Sequence, residues 1–225
     1  MSSESPPPNR SDGPLGIFGG TFDPVHYGHL RLAEEARERL GLERIRWLPA
    51  GQPPHRPGPR VGAADRLTMV TLATADHPAF EVDPKEVQAA SPSYTVVTLQ
   101  RLREELGEHR PLVLLLGTDA FSSLTTWHRW PELLQLAHIG VAHRAGAPPH
   151  PESLPPELVR EFVDRHSDTP AVLHASPAGR VVVFPMTPLD ISATHIRNLL
   201  STRHSPRYLV PPAVLDYIEE HALYR

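Results

Sequence analysis

The run Gly19-Gly20-Thr21-Phe22-Asp23-Pro24-Val25-His26-Tyr27-Gly28-His29-Leu30 constrains this chain more than any other stretch, because it joins a short apolar run, Leu15 to Phe18, to a helical pattern. Two adjacent glycines after a strand let the backbone turn sharply and let a bulky ligand approach the main chain without meeting a Cβ. Asp23-Pro24 reads as a turn. From Val25 onward a helix opens, and its unpaired N–H groups and positive dipole end favour an anion. His26 and His29, three apart, fall on one face of the first turn, where both would meet that anion. Other readings stand beside this one. Gly-Gly after a strand is often only a tight turn. The two histidines also suit a metal pair, with Asp23 near in sequence but no further ligand evident and no cysteine in the chain. Either histidine is otherwise a plain surface or core residue.

Composition narrows the class. A chain of 225 residues with 40% apolar residues supports a real core. No apolar run approaches the length needed to span a bilayer, and the polar, Pro- and Ser-rich start is unlike a signal sequence, so the expectation is a cytoplasmic protein with no membrane partner. The net charge of −4 gives no basic field for nucleic acid. Disulfides, thiolate zinc and cysteine nucleophiles are excluded, since cysteine is absent. Lys85 is the only lysine among 22 basic residues, so arginine must carry nearly all fixed positive charge.

Along the chain, Leu15 to Phe18 reads as a strand, Tyr27 to Leu40 as a helix ended by Gly41, and Arg44 to Leu48 as a second strand. This order suggests a right-handed parallel unit whose ligand crevice lies beyond the strand C-terminal ends. The expected fold is α/β: a Rossmann-like open, mainly parallel sheet with helices on both faces and a small C-terminal helical part. The Pro-rich loop after the second strand places His55 and Arg56 near the crevice, with an exposed loop as the bland reading. Val61 to Ala75 reads as a helix with Leu67, Val70 and Ala73 or Thr74 inward, and Ala79 to Val82 as a short strand. Ser93 is a plausible N-cap for a helix reaching Leu106, which puts Tyr94 and Thr95 at an anion-favouring end. Pro111 to Leu116 is nearly all apolar, the mark of a strand buried on both faces, and it ends in Gly117-Thr118-Asp119. Asp119 can accept from ribose hydroxyls there, or cap the next turn. His138 to Ala142 and Val181 to Phe184 read as strands, with Arg144 a candidate phosphate grip. A helix is expected from Pro156 to His166 inside the poorly readable segment 147–180.

A second anchor is Ile191-Ser192-Ala193-Thr194-His195-Ile196-Arg197, between a strand and a helix. Ser192 can cap, and Thr194 and Arg197 share one face, giving a phosphate clamp with its own helix dipole. The alternative is a helix cap alone. A last helix is expected from about Ala213 to His221.

The stretch Gly19 to Leu30 resembles the signature of the HxGH nucleotidyltransferase superfamily, here His26-Tyr27-Gly28-His29, and the full run is most similar to bacterial nicotinate-nucleotide adenylyltransferases. Matches recur from Leu15 to Ile218, including Ile191 to Arg197, which is similar to the family's ISSTxxR with Ala193 in place of a serine. Residues 1–14 then stand as a disordered tail and 15–225 as a single nucleotidyltransferase domain. The resemblance implies adenylyl transfer from ATP to nicotinate mononucleotide, giving deamido-NAD and pyrophosphate. It implies His26, His29 and Arg197 as catalytic, and Gly19, Gly20, Thr21, Phe22, His55, Gly117, Asp119, Ile191, Ser192 and Thr194 on ATP. It further implies Tyr94, Thr95, Trp127 and Arg144 on the mononucleotide, and Mg²⁺ carried by the ATP phosphates with no protein metal ligand. Three departures stand out: Arg56 where the family has lysine, Val97 where an acid is common, and Ala193. Another phosphate acceptor, such as nicotinamide mononucleotide, or a non-catalytic nucleotide- or metal-binding protein, are the competing readings. Oligomeric state stays open, a homo-oligomer included.

Overall fold

A computed structural model describes residues 13–53, 58–144, 146 and 148–225. The chain runs β1 (Leu15–Gly20), α1 (Tyr27–Leu40), β2 (Arg44–Pro49), α2 (Ala63–Thr74), β3 (Phe80–Val82), α3 (Lys85–Gln88) and α4 (Thr95–Leu106). It continues with β4 (Leu112–Gly117), α5 (Thr118–Ser122), α6 (Leu133–Leu136), β5 (His138–Arg144), α7 (Pro156–Arg165), β6 (Val181–Met186), α8 (Ala193–Ser201) and α9 (Pro212–Glu220). The strands form one sheet in the order β3-β2-β1-β4-β5-β6, every neighbouring pair parallel. The expected Rossmann-like α/β architecture is therefore the one observed. Among the described residues no helix is long and apolar enough to cross a membrane.

Period-two alternation explains why the central strands are apolar throughout. Leu112, Leu114 and Leu116 of β4 join one core cluster with Val96, Leu99 and Leu102 of α4, while Val113 and Leu115 join the opposite one with Ala33, Ala36 and Leu40 of α1. A strand covered on both faces needs an apolar residue at every position. Gly16 of β1 fits the same scheme differently: a Cβ there would lie 2.5 Å from Ile45 Cδ1 and 2.9 Å from Leu42 Cδ1, so those side chains fill its place. Helix α1 stops at Gly41, whose φ of 64° is left-handed and whose N–H closes onto Arg37 O.

Two local readings differ from the structure. Ser93 does not cap α4; Tyr94 is the N-cap, and Ser93 Oγ instead accepts the Gly51 N–H at 2.9 Å, a bond across the β2 loop that local sequence does not signal. Helix α2 turns Arg66, Met69, Val70 and Thr74 inward, with Leu67 at the half-exposed edge. Arg66, 1% exposed, follows the same helical spacing as its apolar neighbours because its guanidinium binds backbone carbonyls beneath the sheet's C-terminal edge.

The strand order reverses between β1 and β4, which leave the sheet toward different neighbours. In an open parallel sheet that reversal opens a crevice at the strand C-terminal ends. Gly19 and Gly20 close β1 there and Gly117 closes β4, so the sheet itself delivers both candidate loops to one place.

Candidate active site

The crevice floor is bare backbone. A Cβ built on Gly19, or on Gly117, meets nothing within 4 Å, so both glycines border open space where a ligand can touch the main chain. Gly20 is different: a Cβ would stand 2.8 Å from the Phe22 ring. Phe22, at a left-handed φ of 50°, turns its ring into the core against Phe18 and Trp47, and meets the His29 ring edge-on at 5.1 Å. What Phe22 offers a ligand is its backbone; its side chain buttresses His29. Thr21 is held by its carbonyl, which accepts from Arg66 Nη1 at 2.7 Å.

His26 sits just before α1 as its extended N-cap, with φ −150°, and His29 lies in the first turn. Their rings stack at 3.7 Å and 23°, so the sequence placement on one face is observed. His29 Nδ1 accepts the His26 backbone N–H at 3.3 Å, which puts the proton of a neutral His29 on Nε2. His26 is 6% exposed, and burial pushes its pKa down to about 4, so it is neutral at pH 7. Among the described residues no partner reaches His26 Nδ1. An unpaired buried acceptor costs less than an unpaired donor, so the proton belongs on Nε2 here also. His26 is then an N–H donor rather than a cation. Gly28 completes the arrangement: a Cβ would lie 3.0 Å from His26 Cε1 and Nδ1, so any larger residue would push the stacked ring.

Neutral burial of His26 makes a pH prediction. The unfolded histidine titrates near 6.5, so between pH 6.5 and 4 the unfolded state binds more protons and stability falls with pH. From pH 7 to pH 5 the loss due to His26 is about 2 kcal/mol. Urea unfolding at both pH values should show a His26→Asn variant losing about 2 kcal/mol less than the wild-type chain. The same loss in both would contradict the burial argument.

The second motif meets the first. Ser192 caps α8 as expected, its Oγ accepting His195 N–H at 3.2 Å. Thr194 Oγ1 accepts from Arg197 Nη2 at 3.1 Å, and Arg197 Nη1 reaches the Asp23 carbonyl at 2.7 Å, across 174 positions of sequence. The Ile191 carbonyl would lie 3.6 Å from a Cβ on Gly28. Helix starts from opposite ends of the chain therefore share one site.

Around it, Asp119 is exposed in the first turn of α5, and Arg144 is exposed at the end of β5, two positions past Ala142, the register partner of Gly117. Tyr94 and Trp127 pack on the same apolar cluster, and Thr95 opens α4. Tyr94 also meets the His128 ring at 4.5 Å. His55 and Arg56 lie outside the described residues. Among the described residues no group of three histidines or carboxylates is placed to hold a metal ion.

The sequence reading did not assign Arg66, Arg60, Tyr224 or the Asp23 carboxylate. Arg66 bridges the β1 and β2 loops through Thr21 O and Gly51 O, at 2.7 and 3.0 Å. Its one sequence signal was an arginine on the helical spacing of Met69, Val70 and Thr74. Asp23 Oδ2 accepts the Arg60 N–H and Oδ1 the Tyr224 hydroxyl, both at 2.8 Å. No local pattern announces either bond.

A family model described as cytidylyltransferase-like matches residues 17–199, a span that begins in β1 and ends in α8 and so contains both motifs. The chain belongs to the cytidylyltransferase-like family. Among curated relatives of this cytidylyltransferase-like chain, a probable nicotinate-nucleotide adenylyltransferase of Dechloromonas aromatica (strain RCB) is 59% identical over 212 residues, covering 94% of this chain and 98% of the relative. Another of the same description from Pseudomonas putida (strain KT2440) is 48% identical, covering 94% and 90%. The fold is shared with the Plasmodium falciparum nicotinic acid mononucleotide adenylyltransferase complexed with NaAD, at a TM-score of 0.68 and 16% identity over 94% of this chain and 97% of that one. The same Plasmodium enzyme complexed with APC aligns at a TM-score of 0.66.

Proposed function

We propose that this chain transfers the adenylyl group of ATP to nicotinate mononucleotide, releasing pyrophosphate and forming deamido-NAD in NAD biosynthesis. The observation that carries the reading is the Arg197 to Asp23 bond of 2.7 Å, which brings the clamp of α8 against the histidine loop of α1. The names of relatives at 59% and 48% identity support the choice of nucleotide pair.

The reaction needs positioning and charge stabilisation rather than a side-chain nucleophile. A 5′-phosphate oxygen of the mononucleotide attacks the ATP α-phosphorus in line; the new P–O bond forms as the bond to the β-phosphate oxygen breaks, and pyrophosphate leaves with that electron pair. The Nε2–H groups of His26 and His29 donate to α- and β-phosphate oxygens. Arg197, steadied by Thr194, supplies the formal charge for the leaving pyrophosphate, and the N-terminal ends of α1 and α8 add their dipoles. Gly19, Gly20 and Thr21 present backbone to ATP, Gly117 and Asp119 meet its ribose, and Ile191 and Ser192 meet ATP from the start of α8. Tyr94, Thr95 and Trp127 receive the pyridine nucleotide, and Arg144 its phosphate. With no protein ligand assigned to it, Mg²⁺ would be held by the ATP phosphates and would supply charge neutralisation there. His55, outside the described residues, is given no step.

A product assay tests this: ATP with nicotinate mononucleotide should give deamido-NAD and pyrophosphate in equal amounts, about tenfold or more faster than nicotinamide mononucleotide gives NAD. Preference for the amide, or no dinucleotide from either, would overturn the reading.

A further inference from the structure

Asp23 lies between the two phosphate-type loops, and three separate segments hold it. Its carboxylate, on a residue 7% exposed, accepts the Arg60 N–H on Oδ2 and the Tyr224 hydroxyl on Oδ1, while its backbone carbonyl accepts Arg197 Nη1. The Arg197 guanidinium thus bonds to a neutral carbonyl at 2.7 Å although the Asp23 carboxylate oxygen Oδ2 is only 3.9 Å away. A guanidinium and a carboxylate that close would normally form a direct pair. The carboxylate is kept from turning toward it because both of its oxygens are already engaged by other segments. The phenol remains a donor throughout the neutral range, since burial, with the Asp23 charge beside it, pushes the Tyr224 pKa well above its ordinary value.

We propose that Tyr224 is a positioning residue for the transfer: by occupying Asp23 Oδ1 it keeps the carboxylate off Arg197, so that the guanidinium retains its charge for the leaving pyrophosphate. The same bond fixes the Asp23 turn from which His26 follows three positions later. This inference rests on the proposed adenylyl transfer. Tyr224 touches neither ATP nor the mononucleotide in this account. Without its hydroxyl, Oδ1 is left unpaired in a nearly closed site, and the carboxylate is free to turn toward the Arg197 guanidinium, which already stands 3.9 Å from Oδ2.

The test compares three variants of the full chain with the wild type in steady-state formation of deamido-NAD, alongside thermal unfolding. Tyr224→Phe should lower kcat about tenfold while KM for nicotinate mononucleotide stays within about twofold. Tyr217→Phe is the matched control, since Tyr217 also donates to a carboxylate, Asp65 Oδ1 at 3.0 Å, but does so between α9 and α2 rather than at Asp23; its kcat should stay within about twofold. The double variant Tyr224→Phe with Asp23→Asn removes the charge that captures Arg197, so kcat should recover about threefold or more over Tyr224→Phe alone. A simple stabilising role would make the second substitution cost further activity. Overturning results are a Tyr224→Phe kcat within twofold of wild type, an equal loss in Tyr217→Phe, no recovery in the double variant, or a loss that only follows the unfolded fraction. A wild-type chain that makes no dinucleotide would instead overturn the proposed reaction itself, and this inference with it.

Discussion

Replacing His29 with alanine should lower kcat by about two to three orders of magnitude, the usual cost of deleting one preorganised donor to a charged transition state. His29 is placed for that role by packing rather than by charge: its ring stacks on His26 at 3.7 Å and is braced edge-on by Phe22 at 5.1 Å. The side chain also accepts the His26 backbone N–H, so the variant leaves that donor without its partner and should lose about 1 kcal/mol of stability. Steady-state kinetics with urea unfolding separates the two effects. A kcat within threefold of wild type would remove His29 from the mechanism.

Arg197→Ala should cost about as much in kcat/KM, two to three orders of magnitude, because it deletes the one formal cation that both motifs share in this account. Lysine should not replace it. The guanidinium binds the Asp23 carbonyl and the Thr194 hydroxyl together, at 2.7 and 3.1 Å, and a single ammonium on a flexible stem does not reproduce that fork. Arg197→Lys should therefore keep less than about a tenth of wild-type kcat/KM. Recovery of more than half by lysine would show that charge suffices and that the fork is incidental.

How much of this was readable in the sequence depended on the range of the contact involved. The bounds Tyr27 to Leu40 for α1 followed from apolar spacing and a terminal glycine, both local signals, and the structure has the same bounds. The unbroken apolar run of β4 and the Ser192 cap were local in the same way. The misread cap at Ser93 shows the limit: its hydroxyl is taken by Gly51 N–H, 42 positions away, and a residue that is a good cap locally became a tether. Gly51 itself has no room for a Cβ, which would fall 2.1 Å from the Glu86 carbonyl oxygen, again a fact of tertiary approach. Arg66 was passed over because an arginine on an inward spacing looks like an exposed interruption until the carbonyls of Thr21 and Gly51 are seen to need donors. Tyr224 meets Asp23 across 201 positions, with nothing in either neighbourhood to predict it. The charge state of His26 depended on burial, which the motif alone did not reveal.

In the proposed reaction the two histidines and Arg197 make one phosphate site built from opposite ends of the chain. The most direct check is a crystal structure with a non-hydrolysable ATP analogue. The triphosphate should lie within hydrogen-bonding distance of the His29 imidazole and the Arg197 guanidinium in the same molecule, over the open backbone of Gly19. A triphosphate bound to only one of those two side chains, or seated away from both, would contradict it.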